Sequence, residues 1–157
     1  MNAIREIDTL AAMPVVLTDG GRAAAGWKGT VKIGDCVTRS IAIATGIPYQ
    51  QVYDAINVLA RTERMTKRKR GQRSSARNGV FRDTYRRYLY SLGWRWTATM
   101  EIGSGCRVHL RADELPKGRL IVVCSNHLTC VIDHAIHDTY DPQREGTRCV
   151  YGYWEAP

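Results

Sequence analysis

Apolar residues recur at helical spacing in the first half of the chain and alternate with polar ones in the second. Val37, Ser40, Ile41, Ala44 and Thr45 fall three and four residues apart, the period of a helix with an inward face. Asp35 stands in the N-cap position, which puts Cys36 at the first helical residue, and Gly46 supplies the stop. Pro48 opens a second helix that runs to about residue 61, with Val52, Ala55, Ile56 and Leu59 as its stripe. A third helix follows Asn78-Gly79 and reaches about residue 92, with Val80, Phe81, Tyr85, Tyr88, Leu89 and Leu92 inward, before Gly93 ends it. Ahead of these, Ile4, Leu10 and Met13 suggest a short helix and residues 15–17 a short strand. Thr18-Asp19-Gly20-Gly21 then makes a turn, so the leading segment is expected to wrap the domain.

From residue 94 the period changes to two. Strands are predicted over 94–99, 108–110, 120–124, 127–132, 135–140 and 148–154. Turns at Gly103-Ser104-Gly105 and at residues 113–118 punctuate them, and Asp133-His134 makes a tight hairpin. Helices first and antiparallel strands after give an α+β fold in a single domain over residues 1–157.

Residues 65–77 break both periods. They are nearly devoid of apolar side chains and carry Lys67-Arg68-Lys69-Arg70, so a flexible basic loop within the domain is expected. Between Arg61 and Arg87 stand eleven Lys or Arg against Glu63 and Asp83, so the chain's net charge of +8 belongs to this segment. Lys67, Arg68, Lys69, Arg70, Arg73 and Arg77 are candidates for holding an anionic partner, either nucleic acid or an acidic protein. The five cysteines are odd in number and form no CxxC pair, which argues against a disulfide framework and a zinc ribbon. No secretory signal or membrane span is visible, so a reducing, cytoplasmic setting without membrane contact is expected.

A cysteine at a helix start meets free N–H groups and partial positive charge, which favour thiolate over thiol. Cys36 is therefore a candidate nucleophile; the plainer alternative is a small buried apolar residue. The hairpin bears on the choice. A two-residue turn at Asp133-His134 sets Ile132 against Ala135, so His127 falls opposite Tyr140 and Thr129 opposite Asp138, all on one sheet face. Diagonal neighbours there lie within reach of each other, so Asp138 can hold one nitrogen of His127 while the other faces Cys36. Asp141 is the alternative orienter, needing a bulge to come round.

These residues carry a resemblance. Gly34-Asp35-Cys36 opening a helix, then Asn126-His127 on one strand and Asp138-Thr139-Tyr140-Asp141 on the next, is similar to the papain-like cysteine peptidase superfamily. The stretches DCVTRSIAIATGIPYQQVYDAI, SSARNGVFRDTYRRYLYSLGW, IGSGCRVHLRADELPKGRLIVV and HLTCVIDHAIHDTYDP, with the trailing VYGYW, resemble uncharacterised phage and bacterial proteins of that superfamily. The resemblance implies a papain-like fold with the nucleophile helix packed on the sheet, and a phage-encoded chain would act in the host cytoplasm. It implies a Cys-His-Asn/Asp triad that cleaves peptide or isopeptide bonds in a protein or peptide substrate, or transfers the acyl group, without a cofactor. Two positions depart from the pattern. No Gln or Asn lies among residues 29–34 to donate to an oxyanion, which leaves the Cys36 N–H with Thr30 or Asp35. Loss of such a donor costs ~3 kcal/mol, so a weak or retired enzyme fits as well. His134 stands where the resembling proteins tend to have Gly, a turn variant that histidine tolerates.

The other candidates read as structural. His134 and His137 point to opposite strand faces, which is wrong for chelation, and no metal is expected. Cys106 lies in a glycine turn, open to a role as a second thiol but better suited to packing. Cys124, Cys130 and Cys149 alternate with apolar residues and read as core. The competing function is a non-catalytic protein that uses residues 61–87 to grip nucleic acid or an acidic protein.

Overall fold

The computed structural model describes residues 11–29 and 33–157. Among the described residues, three helices lie on one face of a seven-stranded, mostly antiparallel sheet, an α+β architecture. In chain order these are β1 (Val15–Leu17), α1 (Cys36–Thr45), α2 (Tyr49–Ala60), α3 (Arg82–Ser91), β2 (Arg95–Ala98), β3 (Val108–His109), β4 (Arg119–Cys124), β5 (His127–Ile132), β6 (Ala135–Asp138) and β7 (Cys149–Glu155). The sheet runs β1-β6-β5-β4-β7-β2, with β3 also on β7.

α1 is the central helix. Val37, Thr38, Arg39, Ser40, Ile41, Ala42 and Ala44 are all buried, so it has sheet or chain on nearly every side. A buried polar side chain requires a partner, and each of the three here has one. Thr38 Oγ1 donates to the Ala76 carbonyl at 2.7 Å, Ser40 Oγ to the Leu128 carbonyl at 3.0 Å, and Arg39 to two carboxylates. The Ser40 bond fixes the helix against β5. Gly46 ends α1 in the left-handed region, its N–H closing on the Ala42 carbonyl. The loop ahead of α1 is held by close approach: a Cβ on Gly34 would lie 2.5 Å from the Asn78 carbonyl oxygen.

The β5–β6 hairpin pairs Ile132 with Ala135, Val131 with Ile136 and Cys130 with His137. Its two central residues, Asp133 and His134, both have positive φ, the requirement of a turn that follows sheet twist. His134 is pinned there by a 2.8 Å bond to the Leu115 carbonyl. Behind the sheet, Met13, Leu110, Leu115, Leu120, Val122, Val131, Ile136 and Val150 form a second core.

Two expectations are corrected, those for the start of α3 and for Cys106 and Cys149. β1 pairs with β6 in parallel, because residues before α1 run back along the sheet edge. α3 begins at Arg82, since the Phe81 N–H is taken by Ser74 Oγ and the chain is still extended there. The basic stretch makes defined contacts with the rest of the fold. It contains a 3-10 turn at Lys67–Lys69, Arg73 donates to the Ala60 carbonyl, and buried Ser74 binds the inward-turned Glu63 carboxylate. Cys106 and Cys149 form a disulfide linking the chain before β3 to the start of β7, so Cys149 is not a core thiol. The five cysteines thus comprise one bonded pair and three free thiols. Ile4, Leu10 and Thr30 lie outside the described residues. No helix among the described residues is long and apolar enough to cross a membrane.

Candidate active site

Cys36 opens α1, His127 opens β5, and Asp138 closes β6, so three element ends converge. His127 Nε2 donates to Asp138 Oδ2 at 2.7 Å. That leaves Nδ1 as the ring nitrogen for the Cys36 sulfur, with which His127 is also hydrogen-bonded. The Leu128 backbone N–H makes a second bond to the sulfur. Asp138 is 1% exposed and His127 8%, whereas Cys36 is half-buried and reachable.

An open cleft of about 510 Å³ lies over the sulfur, lined by Arg22, Ile33, Cys36, Asn126, His127 and Tyr140 among others. The Tyr140 ring stacks obliquely on His127, with centroids 5.2 Å apart.

Behind the three residues runs a charge relay. Arg39, one helical turn after Cys36, donates from Nη2 to Asp138 Oδ1 at 2.9 Å and from Nη1 to Asp35 Oδ1 at 2.6 Å. Asp35 is fully buried and also receives Arg22 at 3.2 Å and the Tyr49 hydroxyl at 2.8 Å. The Thr139 N–H completes the bonds to Asp138 Oδ1 at 2.7 Å. With the thiol ionised and the imidazole protonated, three anions (Cys36, Asp35, Asp138) face three cations (His127, Arg22, Arg39). A buried charge set of this kind persists only when every member is paired.

The proton affinities follow. Burial works to raise the Cys36 thiol, but the His127 and Leu128 hydrogen bonds and the nearby positive charges of His127 and Arg39 outweigh it. Its pKa therefore falls below that of an ordinary thiol. Burial disfavours a charged His127, yet the bonds to Asp138 and Cys36 hold its pKa above the usual histidine value. Asp138 is likewise penalised by burial, and the His127 and Thr129 side chains and Arg39 bring it below the ordinary carboxylate value. The other free thiols go the opposite way: burial pushes Cys124 up to about 11 and Cys130 up to about 12.

Two expectations about this region need correction. Asp141 is exposed, and its carboxylate accepts from the Gln143 backbone and side chain, so it does not orient His127. Asp35 neither caps α1 through its side chain nor faces an oxyanion, because its carboxylate is turned inward to Arg22, Arg39 and Tyr49. The N-terminal N–H groups of α1 therefore receive no side-chain oxygen from Asp35. Of the remaining histidines, His109 bonds Glu114, His134 bonds Leu115, and His137 pairs with Cys130 within the sheet. Among the described residues no cluster of His, Cys, Asp and Glu has the makings of a metal site.

Sequence reasoning assigned no role to Arg39, Arg22, Tyr49 or Asn126. Arg39 had a usable signal: an Asp and an Arg four residues apart at the start of an apolar-periodic helix. Asn126, at positive φ in the β4–β5 turn, lines the cleft beside His127. No family model, curated protein or solved structure matches the chain.

Proposed function

We propose that the protein is a cysteine-nucleophile hydrolase of peptide or isopeptide bonds, with Cys36 as nucleophile, His127 as base and acid, and Asp138 as orienter. The observation that carries this reading is the continuous hydrogen-bonded run from the Cys36 sulfur through His127 to Asp138, with its sulfur end open to a cleft. A helix whose first residue is the nucleophile, packed on an antiparallel sheet that supplies the histidine and its partner, fits the papain-like plan.

In the reaction the Cys36 thiolate attacks the amide carbonyl carbon. The carbonyl electron pair moves to oxygen, where the Cys36 N–H at the positive end of α1 and the Asn126 amide offer donors. Protonated His127 gives its proton to the leaving nitrogen as the C–N bond breaks, leaving a thioester. Neutral His127 then takes a proton from water, which attacks the thioester, and returns that proton to the departing sulfur. Asp138 keeps Nδ1 aimed at sulfur throughout.

The test is labelling with iodoacetamide followed by peptide mapping. We expect Cys36 to be modified first, at pH values where an ordinary thiol is slow, while Cys124 and Cys130 stay unmodified in the folded protein. Labelling that bypasses Cys36, or spreads evenly over the free thiols, overturns the reading.

A further inference from the structure

The basic segment has a shape as well as a charge. The end of α2, the 3-10 turn and the start of α3 enclose a groove of about 760 Å³ lined by Arg64, Lys67, Arg68, Lys69, Arg82 and Arg87. Two carboxylates share it. Glu63 is turned inward onto Ser74 and Lys69, and Asp83 lies in the first turn of α3. Arg64, Lys67 and Arg68 are exposed and, among the described residues, have no carboxylate partner. The groove therefore carries a clear excess of unneutralised positive charge, facing water.

A short segment of chain separates the groove from the cleft. Asn78 packs on Gly34, two residues ahead of Cys36, and Arg77 lies over Trp27 and beside Gly29 at the cleft rim. From there the chain runs to Phe81 and Arg82, which line the groove. Four residues of extended chain span roughly 14 Å at most, so Arg82, at the near edge of the groove, lies no farther than that from Asn78 at the cleft entrance.

We propose that this groove binds an acidic stretch of the protein substrate, a few residues away from the amide cleaved at Cys36. The proposal rests on the hydrolase reading for the cleft. An acidic peptide fits better than a nucleic acid on two observations. Phe81 is the one aromatic residue lining the groove, and the Lys69 ammonium sits 4.9 Å from its ring centroid, so no open ring is left for bases to stack on. On the hydrolase reading, the neighbouring cleft also needs an amide, which a polypeptide supplies and a polynucleotide backbone does not.

The experiment uses the full chain with Cys36→Ala and a fluorescent peptide bearing six consecutive glutamates, read by anisotropy at low ionic strength. Duplex DNA and single-stranded RNA of equal charge serve as competitors. We expect saturable binding that weakens steeply with added salt, a loss of about tenfold or more in Lys67→Glu/Arg68→Glu, and poorer competition by either nucleic acid than by polyglutamate. Absence of peptide binding, an unchanged affinity in the double variant, or tighter binding of DNA or RNA overturns the proposal. Iodoacetamide labelling of the wild type separates the two readings. A reactive Cys36 without peptide binding removes the groove alone. Peptide binding with an inert Cys36 removes the amide chemistry and keeps an acidic-partner site.

Discussion

The relay behind Cys36 and the groove beside α3 both hold several charged side chains and use them in opposite ways. In the relay Asp35, Arg39 and Asp138 are almost wholly buried, and every charge has a counter-charge within hydrogen-bond distance. In the groove Arg64, Lys67 and Arg68 stand in water with no carboxylate partner among the described residues. Burial makes the first set costly to disturb, because losing one member strands another in a poorly solvated place. Exposure makes the second cheap to alter, because water and salt already screen it. The same residue types therefore set geometry in one place and leave attraction available for a partner in the other.

The sharpest way to break the contrast is Asp138→Asn, which keeps the shape and removes the charge. We expect turnover to fall by about 10²–10⁴-fold, the scale on which removing an orienting carboxylate acts. The pH behaviour should move with it. Asp138 holds the His127 pKa above 6.5, and His127 in turn helps lower the thiol below 9.0. In the variant, burial of His127 then dominates, and the rate–pH profile for Cys36 alkylation shifts toward that of an ordinary thiol. Stability has its own sign. A carboxyl held below 3.8 contributes above pH 3.8 and loses that contribution as the pH falls through its folded-state value. Asp138's own share of the gap between wild type and variant should thus close in acid, while the share carried by His127, whose pKa Asp138 raises, is full below pH 6.5 and is lost as the pH rises through the His127 folded-state value. An alkylation profile that does not move removes Asp138 from the site.

Arg39→Met comes next. It deletes the cation that joins Asp35 to Asp138, leaving Arg22 and Tyr49 on one carboxylate and His127 on the other. Breaking a buried pair in this way costs about 3–5 kcal/mol, measurable by urea denaturation. Arg39→Lys should recover part of that stability, since one ammonium reaches one carboxylate but does not span both. It should recover less of the Cys36 alkylation rate. Arg39→Met with unchanged stability would mean the relay is held by backbone alone.

The parts legible in the sequence are those set by local rules. The Cys36 helix follows from its apolar spacing and Gly46, and the His127–Asp138 proximity from a two-residue turn that fixes strand register. What stayed hidden depends on contacts distant in sequence. Periodicity treats a charged residue as solvent-facing, so the bond from Arg39 to Asp138, ninety-nine residues away, is not legible from the helix alone. Asp35 obeyed the spacing of a cap, but its carboxylate was drawn to Arg39, Arg22 and Tyr49 instead. Cys106 and Cys149 are 43 residues apart in a chain with an odd cysteine count, and only the pairing of β3 with β7 brings them together. The parallel β1 escaped because three residues, mostly exposed, give no alternation to read.

The smallest effect belongs to the groove, and its smallness is the informative part. Arg64→Gln/Arg68→Gln removes two exposed charges that neither cap a helix nor join an ion pair among the described residues. Exposed substitutions of this kind stay within about 0.5 kcal/mol per site. Relief of repulsion among neighbouring cations acts toward greater stability at low salt, so the net change should be near zero or slightly stabilising. Iodoacetamide labelling of Cys36 should keep its rate, because the charges that lower this thiol are His127 and Arg39. Denaturant titration and labelling kinetics on one preparation check both points. A loss beyond 1–2 kcal/mol, or a slowed Cys36, would make these arginines part of the scaffold and erase the difference between the two regions.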